Sequence, residues 1–396
     1  MRLADRVRDI GTETAFEAAG RARALEAQGR DIIHLEIGEP DFDTPPNVRE
    51  AAKRALDAGF THYGPPLGMP QLREAIAADA TRRKGFSVDP ANVVVTPGAK
   101  PVMYYTMLAL GEPGVEIIVP DPGFPIYESM ARFTGATVVP IPLRQDHDFR
   151  IDIDELRDLV TERTRLIVIN SPHNPCGSIL TPDDLAAIAD IAIERDLIVL
   201  ADEIYGRLQY DGEFHSIAAL PGMPERTIVL DGFSKTYSMT GWRLGYAIVP
   251  PELVPVFSRL IINSVSCTSS FSQLAAVEAL TGPQDAVDAM VQEFRARRTL
   301  VVDGLNALPG VTCRMPHGAF YAFPDVSGTG MSGPQLAERL LLEADVSVLS
   351  GTAFGSVGRD HIRVSYANSR QNITQALERM AALLARTAIV PGGPLS

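Results

Sequence analysis

The sequence predicts an α/β protein with a mostly parallel central sheet and a second, smaller α+β domain. Short apolar, β-branched runs alternate with helical patterns from about residue 90 to 250. These runs are apolar on both faces, as expected for strands that helices cover on each side. A long Arg- and Glu-rich helical pattern follows at 283–306, and further short strands lie beyond it. The alternation is typical of parallel strands joined by right-handed crossovers.

The individual elements follow from the same patterns. The predicted strands of the central sheet are 92–97, 115–120, 136–141, 165–170, 197–202, 227–232 and 243–249. A helix is predicted at 181–196, because Thr181 followed by Pro182 is a favourable helix start. The smaller domain has predicted strands at 318–324, 346–351 and 361–367 and a last helix at 371–386. We divide the chain into an N-terminal arm with part of the small domain (1–45), a large domain (46–285) and a small C-terminal domain (286–396).

Composition excludes several classes of function. The net charge of −13 argues against a nucleic-acid or anionic-membrane surface, because both need a basic footprint. No run approaches the roughly 18 apolar residues of a membrane span, and the first residues lack the apolar core of a secretory signal. The three cysteines are scattered and the seven histidines show no metal-ligand spacing. We expect a cytoplasmic protein with small-molecule partners and no metal site.

Lysine usage points to two candidate positions. Of the 36 basic residues only four are lysines, namely Lys53, Lys84, Lys100 and Lys235. Arginine stays protonated and does not form a Schiff base, so such a chain keeps lysine either by chance or where a primary amine is needed. Lys100 and Lys235 both lie in Gly-rich surroundings after predicted strands.

The stretch GFSKTYSMTGWRLG (232–245) is the most informative one. Lys235 follows a strand, at the carboxyl end where ligands bind in open α/β sheets. A lysine there is a suitable nucleophile for an aldehyde cofactor, and Arg243 is placed to reach a phosphate of the same cofactor. The alternative is a surface turn with two solvated bases.

Asp202 ends the apolar run LIVLA, and a carboxylate there is costly unless it is paired. Its functional interpretation is a counter-ion for a protonated pyridine nitrogen, which makes the ring an electron sink. The alternative is a helix N-cap. Tyr205 is either a packing aromatic or a donor to the phenolic oxygen of the same cofactor.

Other candidates have equally simple alternatives. The turn at 98–100 precedes a helical run, where free N–H groups bind anions, or it is a plain connection. Phe124 is a core aromatic by default, and Asn174 is a turn residue. Arg363, in a strand of the second domain, suits either a structural salt bridge or a substrate carboxylate.

Together these signals resemble the class I aminotransferases of pyridoxal-5'-phosphate (PLP) fold type I. The resemblance runs from Gly38 to Ala367 and is greatest to the bacterial subgroup of aspartate and aromatic aminotransferases. It implies that Lys235 carries PLP as a Schiff base and moves a proton, and that Asp202 pairs with the pyridine nitrogen. The other implied positions are Tyr205 and Asn174 at the phenolic oxygen, Phe124 on the ring, Ala99, Lys100, Ser234 and Arg243 around the phosphate, Tyr63 reaching the phosphate of the neighbouring subunit, and Arg363, Asn174 and the Gly38 backbone at the substrate α-carboxylate.

The implied activity is transfer of an amino group from an L-amino acid to a 2-oxo acid such as 2-oxoglutarate, by a ping-pong mechanism. The implied assembly is a homodimer with shared active sites. Aspartate is the leading donor, and Lys100 would read its distal carboxylate, while Phe16 favours aromatic side chains. Departures at Glu13–Phe16, His173 and Cys176 leave the substrate side chain open. A C–S β-lyase and a non-catalytic, aminotransferase-like ligand sensor remain as alternatives.

Overall fold

The computed structural model describes residues 3–7 and 10–388. Its strands are β1 (Ile33–His34), β2 (Val93–Thr96), β3 (Glu116–Asp121), β4 (Thr137–Pro142), β5 (Thr164–Asn170), β6 (Ile198–Asp202), β7 (Thr227–Gly232), β8 (Gly245–Ile248), β9 (Tyr321–Ala322), β10 (Val346–Ser347), β11 (Leu349–Ser350) and β12 (Ile362–Ser365). Its α-helices are α1 (Thr14–Glu26), α2 (Pro46–Asp57), α3 (Pro70–Lys84), α4 (Lys100–Leu110), α5 (Pro125–Phe133), α6 (Ile153–Leu159), α7 (Pro182–Glu194), α8 (Val254–Ser264), α9 (Ser270–Thr281), α10 (Asp285–Asn306), α11 (Gly333–Ala344) and α12 (Arg370–Ala388).

The large sheet confirms the predicted fold class. Its seven strands lie in the order β2-β8-β7-β6-β5-β3-β4. All neighbouring pairs are parallel except those of β8, which is antiparallel to both β2 and β7. Strands β2, β3, β7 and β8 are buried along their whole length, which explains why their sequences are apolar without alternation. The observed strand ends differ from the predicted ones by one or two residues at most.

Proline begins several of the helices that cover this sheet. Helices α2, α5 and α7 have Pro46, Pro125 and Pro182 in their first turn, where the fixed φ and the missing N–H cost nothing. Thr181 forms a capping box with Asp184, which confirms the predicted start of α7.

Two strands predicted for the smaller domain differ in the structure. The expected single strand at 346–351 is wrong, because β10 pairs in parallel with β1 whereas β11 pairs antiparallel with β12. Both short strands are mostly buried, so their residues form one continuous apolar run. Such a run does not indicate that the two halves pair with different strands. The strand expected at 318–324 is only Tyr321–Ala322, since Ala319 has a φ of +57° and leaves the extended conformation. The β1–β10 pair joins the predicted arm to the C-terminal residues, while the domain boundaries themselves stay predictions.

A buried ionic cluster ties helix α3 to the ends of β6 and β7. The Nζ atom of Lys84 lies 2.7 Å from a carboxylate oxygen of Glu203 and 2.8 Å from one of Asp231. Ser216 donates a hydrogen bond of 2.6 Å to the other oxygen of Glu203. Burial works to lower the pKa of Lys84, but the charges of Asp231 and Glu203 outweigh it and raise that pKa. Lys84 therefore stays charged and pairs with two buried carboxylates.

Candidate active site

A cavity of about 510 Å³ lies at one edge of the large sheet. It gathers eleven of the twelve predicted site residues, which are Gly38, Ala99, Lys100, Phe124, Asn174, Asp202, Tyr205, Ser234, Lys235, Arg243 and Arg363. Tyr63 does not line it, and its side chain is 89% exposed.

Strand direction explains the gathering. Strands β2, β3, β5, β6 and β7 run the same way, so their carboxyl ends meet at one edge. The segments that follow these ends carry Lys100, Phe124, Asn174, Tyr205 and Lys235. Strand β8 runs in the opposite direction, so its beginning lies at that edge, and Arg243 comes two residues before it. Crevices at the carboxyl ends of strands are where open α/β sheets bind ligands.

The Lys235 amine lies within this cavity rather than on a solvated surface turn. Its Nζ donates a hydrogen bond of 2.5 Å to the carbonyl oxygen of Gly38 and lies 5.8 Å from the centre of the Phe320 ring. The pKa of Lys235 is lowered to about 8, chiefly by burial; the Glu39 charge acts to raise this pKa and the Arg363 charge acts to lower it. The amine can therefore act as a nucleophile and exchange a proton near neutral pH.

Asp202 is a buried carboxylate with two hydrogen bonds. The Tyr127 hydroxyl donates to Oδ2 at 2.5 Å and the N–H of Ile204 donates to Oδ1 at 3.2 Å. Burial raises the pKa of Asp202 to about 7, although both hydrogen bonds lower it. No cation among the described residues pairs with this carboxylate. The N-cap alternative is wrong, since a 3₁₀ turn at 206–208 and not an α-helix follows β6.

Tyr205 and Gly38 both lie next to the hydroxyl of a second tyrosine, Tyr321. The hydroxyls of Tyr205 and Tyr321 are 2.8 Å apart, and their rings are nearly perpendicular at 84°. A Cβ atom on Gly38 would collide with the Tyr321 hydroxyl, so only glycine fits there. Burial raises the pKa of Tyr205 well above its usual value, so its hydroxyl stays a hydrogen-bond donor.

Arg363 is held by neutral groups and not by a carboxylate. One terminal nitrogen donates to the Asn174 side-chain oxygen at 3.1 Å, and the other donates to the carbonyl oxygen of Glu36 at 2.5 Å. Its Nε atom is buried and has no partner among the described residues. The salt-bridge alternative is therefore wrong. The guanidinium keeps a full positive charge for an anionic ligand.

The turn after β2 forms an anion site. Gly98 has a φ of +90°, and a Cβ atom there would collide with the guanidinium of Arg243. Helix α4 begins at Lys100, so its first N–H groups lack partners within the helix. Arg243 donates a 2.8 Å hydrogen bond to the Thr240 carbonyl, and Ser234 lines the same cavity. Backbone amides, a hydroxyl and a guanidinium together suit a phosphate.

These features fit PLP. The anion site suits its phosphate, and the buried Asp202 carboxylate, which lacks a cation, suits a protonated ring nitrogen. The amine of Lys235, with its lowered pKa, suits the aldehyde.

Lys100 lines the same cavity at the start of α4. Its Nζ forms an ion pair with Glu13, the residue before α1. The ammonium also lies 5.8 Å from the centres of both the Phe16 and the Phe124 rings. The sequence alone gave Glu13 no partner.

Three other contributors were missed from the sequence, namely Tyr127, Asn170 and Tyr321. Asn170 ends β5, donates to the Asp202 carbonyl and accepts from the N–H of Asn174. It carries the signal used for Asp202, a polar residue at the end of an apolar run, which would have found it. The two tyrosines look like packing aromatics in the sequence, and only the tertiary structure reveals their hydroxyl partners.

Comparison with known proteins defines the class. Residues 30–380 match the family described as aminotransferase class I and II. The chain belongs to this family.

Individual relatives agree over most of the chain. The aspartate aminotransferase of Pyrococcus abyssi is 42% identical over 364 residues, which is 91% of this chain and 93% of the relative. The aromatic-amino-acid aminotransferase 2 of Thermococcus litoralis is 39% identical and covers 98% of this chain and 100% of its own. A solved structure of the aspartate aminotransferase from Thermus thermophilus with maleate has a TM-score of 0.92 at 40% identity, covering 97% of this chain and 100% of that chain.

This protein is a PLP-dependent amino-acid aminotransferase. The β-lyase and ligand-sensor alternatives are not favoured. Among the described residues, no helix combines the length and the apolarity needed to cross a membrane. The described part of the chain also holds no cluster of three or more His, Cys, Asp or Glu side chains arranged for a metal ion.

The first prediction concerns Lys235. The amine becomes neutral, and nucleophilic, as the pH rises through its pKa of about 8. The rate at which cofactor-free enzyme attaches PLP covalently should therefore rise up to about pH 8 and level off above it, and borohydride reduction should fix the label on the peptide containing Lys235. Lys235→Ala should still bind PLP but lose transamination by roughly 10²–10⁴-fold. Label recovered mainly on Lys100 would contradict the assignment.

The second prediction separates the activity of Asp202 from its effect on stability. Asp202→Ala should lose far more activity than Asp202→Glu, because the ring nitrogen needs a carboxylate partner. In cofactor-free enzyme, Asp202→Asn should instead raise the free energy of unfolding. The pKa of Asp202 is raised to about 7 in the folded chain, whereas an aspartate in the unfolded chain has a pKa of about 4. The charged carboxylate therefore begins to lower the stability of the fold above about pH 4, and this loss of stability is complete above about pH 7.

Denaturant unfolding of cofactor-free wild type and Asp202→Asn between pH 5 and pH 8 measures this difference. It should grow with pH. A difference independent of pH, together with near-normal turnover in Asp202→Ala, would reduce Asp202 to a turn-capping role.

Proposed function

We propose that this aminotransferase transfers the amino group of an aspartate-like L-amino acid to a 2-oxo acid such as 2-oxoglutarate, by a ping-pong mechanism, and that it also accepts aromatic amino acids. The observation that carries the proposal is the presence of Arg363 and Lys100 in one cavity. A dicarboxylic substrate needs two cations, since burying a carboxylate unpaired is costly. The Phe16 and Phe124 rings beside Lys100 offer apolar surface to an aromatic side chain.

The named relatives support both halves of this proposal. One is called an aspartate aminotransferase and another an aromatic-amino-acid aminotransferase. Maleate, which accompanies the Thermus thermophilus enzyme, is a dicarboxylate. These similarities support a pocket that handles acidic and apolar side chains.

Each part of the reaction has a residue of this chain. PLP, when bound, supplies an electron sink that stabilises negative charge at the substrate's α-carbon. Lys235 holds the aldehyde end of the cofactor and then carries a proton between the α-carbon and the cofactor's C4'. Asp202 keeps the ring nitrogen protonated, because the two charges stabilise each other. Tyr205 and Asn174 donate hydrogen bonds to the phenolic oxygen.

Binding and orientation fall to a second set of residues. Arg363 receives the α-carboxylate, helped by the side chain of Asn174 and the backbone of Gly38. Phe124 packs on the cofactor ring. The phosphate of the cofactor is bound by Ala99, Lys100, Ser234 and Arg243. Lys100 therefore has two proposed partners, the phosphate and the distal carboxylate of an acidic substrate.

We also propose a homodimer with shared active sites. Tyr63 lies outside the cavity of its own chain and is almost fully exposed. Its loop is anchored, because Ser270 Oγ donates a 2.8 Å hydrogen bond to the His62 carbonyl. An exposed aromatic ring on an anchored loop suits a partner subunit, where Tyr63 would reach the phosphate site. The cytoplasmic location and the absence of a nucleic-acid partner stay predictions.

The third prediction tests Lys100 as the reader of a distal carboxylate. Lys100→Ser should lower kcat/KM for aspartate by the loss of one charged hydrogen bond, about 1.5–3 kcal/mol, and lower it much less for phenylalanine. Lys53→Ser is the matched control, because Lys53 pairs with Glu50 on the surface of α2. Equal losses for both substrates would assign Lys100 to cofactor binding alone.

The fourth prediction tests the shared site. In a mixed dimer of Tyr63→Phe and Lys235→Ala chains, one site should contain both native residues and the other should lack both. The mixed dimer should therefore recover about half of the wild-type activity, whereas the Lys235→Ala homodimer has almost none. Separately tagged chains allow its purification and assay. An active monomer in sedimentation would exclude the shared site.

A further inference from the structure

The ion pair between Glu13 and Lys100 puts a carboxylate of the chain itself at the cation proposed to read an acidic substrate. We propose that Glu13 is an internal counter-ion that competes with the distal carboxylate of the substrate for Lys100, and so sets the balance between acidic and aromatic substrates. This inference rests on the proposed function, in which Lys100 binds that carboxylate.

The other two carboxylates of the cavity have different hydrogen-bond partners. Glu39 accepts a hydrogen bond from the hydroxyl of Thr240, and Asp202 accepts from Tyr127. Glu13 is the acidic cavity residue that pairs with Lys100. Glu13 therefore already occupies the Lys100 ammonium that a substrate carboxylate would need.

The Glu13 side chain is free to change its partner. It stands at the N-cap position of α1 but makes no side-chain hydrogen bond to that helix. Leaving Lys100 therefore costs α1 no cap. The pair is also partly exposed, with 44% of the Lys100 side chain and 16% of the Glu13 side chain accessible. Ion pairs with such exposure are weak enough for a ligand to replace them.

The two substrate classes should meet different states of this pair. An acidic substrate must displace Glu13 and gains the Lys100 ammonium in return. An aromatic substrate leaves the pair in place, so the lysine charge stays neutralised between the Phe16 and Phe124 rings. Glu13 thus disfavours acidic substrates and leaves aromatic ones nearly unaffected.

The fifth prediction uses Glu13→Gln in the PLP-loaded enzyme. Its affinity for maleate, a non-reactive dicarboxylate, should rise about fivefold, as should kcat/KM for aspartate. The affinity for 3-phenylpropionate and kcat/KM for phenylalanine should stay within about twofold. Titration calorimetry gives the affinities independently of turnover. Glu17→Gln is the matched control, since it removes the same charge from an exposed position on α1.

The Lys100→Ser background separates the two proposals. If Glu13 acts through Lys100, Glu13→Gln should change nothing once Lys100 is serine. Weaker or unchanged maleate binding in Glu13→Gln, while Lys100→Ser selectively loses maleate, would overturn the role of Glu13 and leave the proposed substrate intact. Unchanged maleate binding in Lys100→Ser would overturn both. An equal gain in Glu17→Gln would attribute the effect to net charge and overturn the inference.

Discussion

The buried carboxylate of Asp202 is the constraint around which this site is arranged. A carboxylate at the end of a buried strand is costly unless hydrogen bonds or a cation compensate it. Tyr127 and the N–H of Ile204 supply hydrogen bonds, yet its pKa is still raised to about 7. The described part of the chain thus supplies two hydrogen-bond donors to the Asp202 carboxylate but no positive charge. In the proposed function, the protonated ring nitrogen of PLP would supply the missing cation.

The other face of the same strand ends carries charges that bear on this carboxylate. Glu203 and Asp231 both act to raise the pKa of Asp202, after the larger effect of burial. Lys84 pairs with each of them, and its single positive charge offsets part of their combined charge. Without Lys84, the charges of Glu203 and Asp231 would lack this cation and would raise the pKa of Asp202 further. A lysine that never reaches the cavity thus helps to define the electrostatics of the site.

The sequence predicts most of what local pattern and motif determine. The central strands were found to within one or two residues because burial on both faces makes them continuously apolar. Eleven of the twelve site residues predicted from the sequence line the cavity, and most of these eleven lie at or just after strand ends. What the sequence missed depends on distant contacts. Tyr127 reaches Asp202 across 75 residues, and Glu13 reaches Lys100 across 87. Strands β10 and β11 are separate because they pair with different strands, β1 and β12. A continuous apolar run in the sequence does not indicate which strand each part will pair with.

In the proposed function, chemistry and specificity come from different parts of the fold. Asp202 and Lys235 lie at or just beyond strand ends, where the hydrogen bonds of the large sheet fix their positions. Glu13 and Phe16 lie at the start of α1, outside that sheet, and bear on the cavity only through side chains. A substitution in the first group disturbs the reaction itself. Under the proposed function, a substitution in the second group should change which side chain is accepted. Under the same proposal, one sheet would serve acidic and aromatic substrates through a few residues of the N-terminal segment.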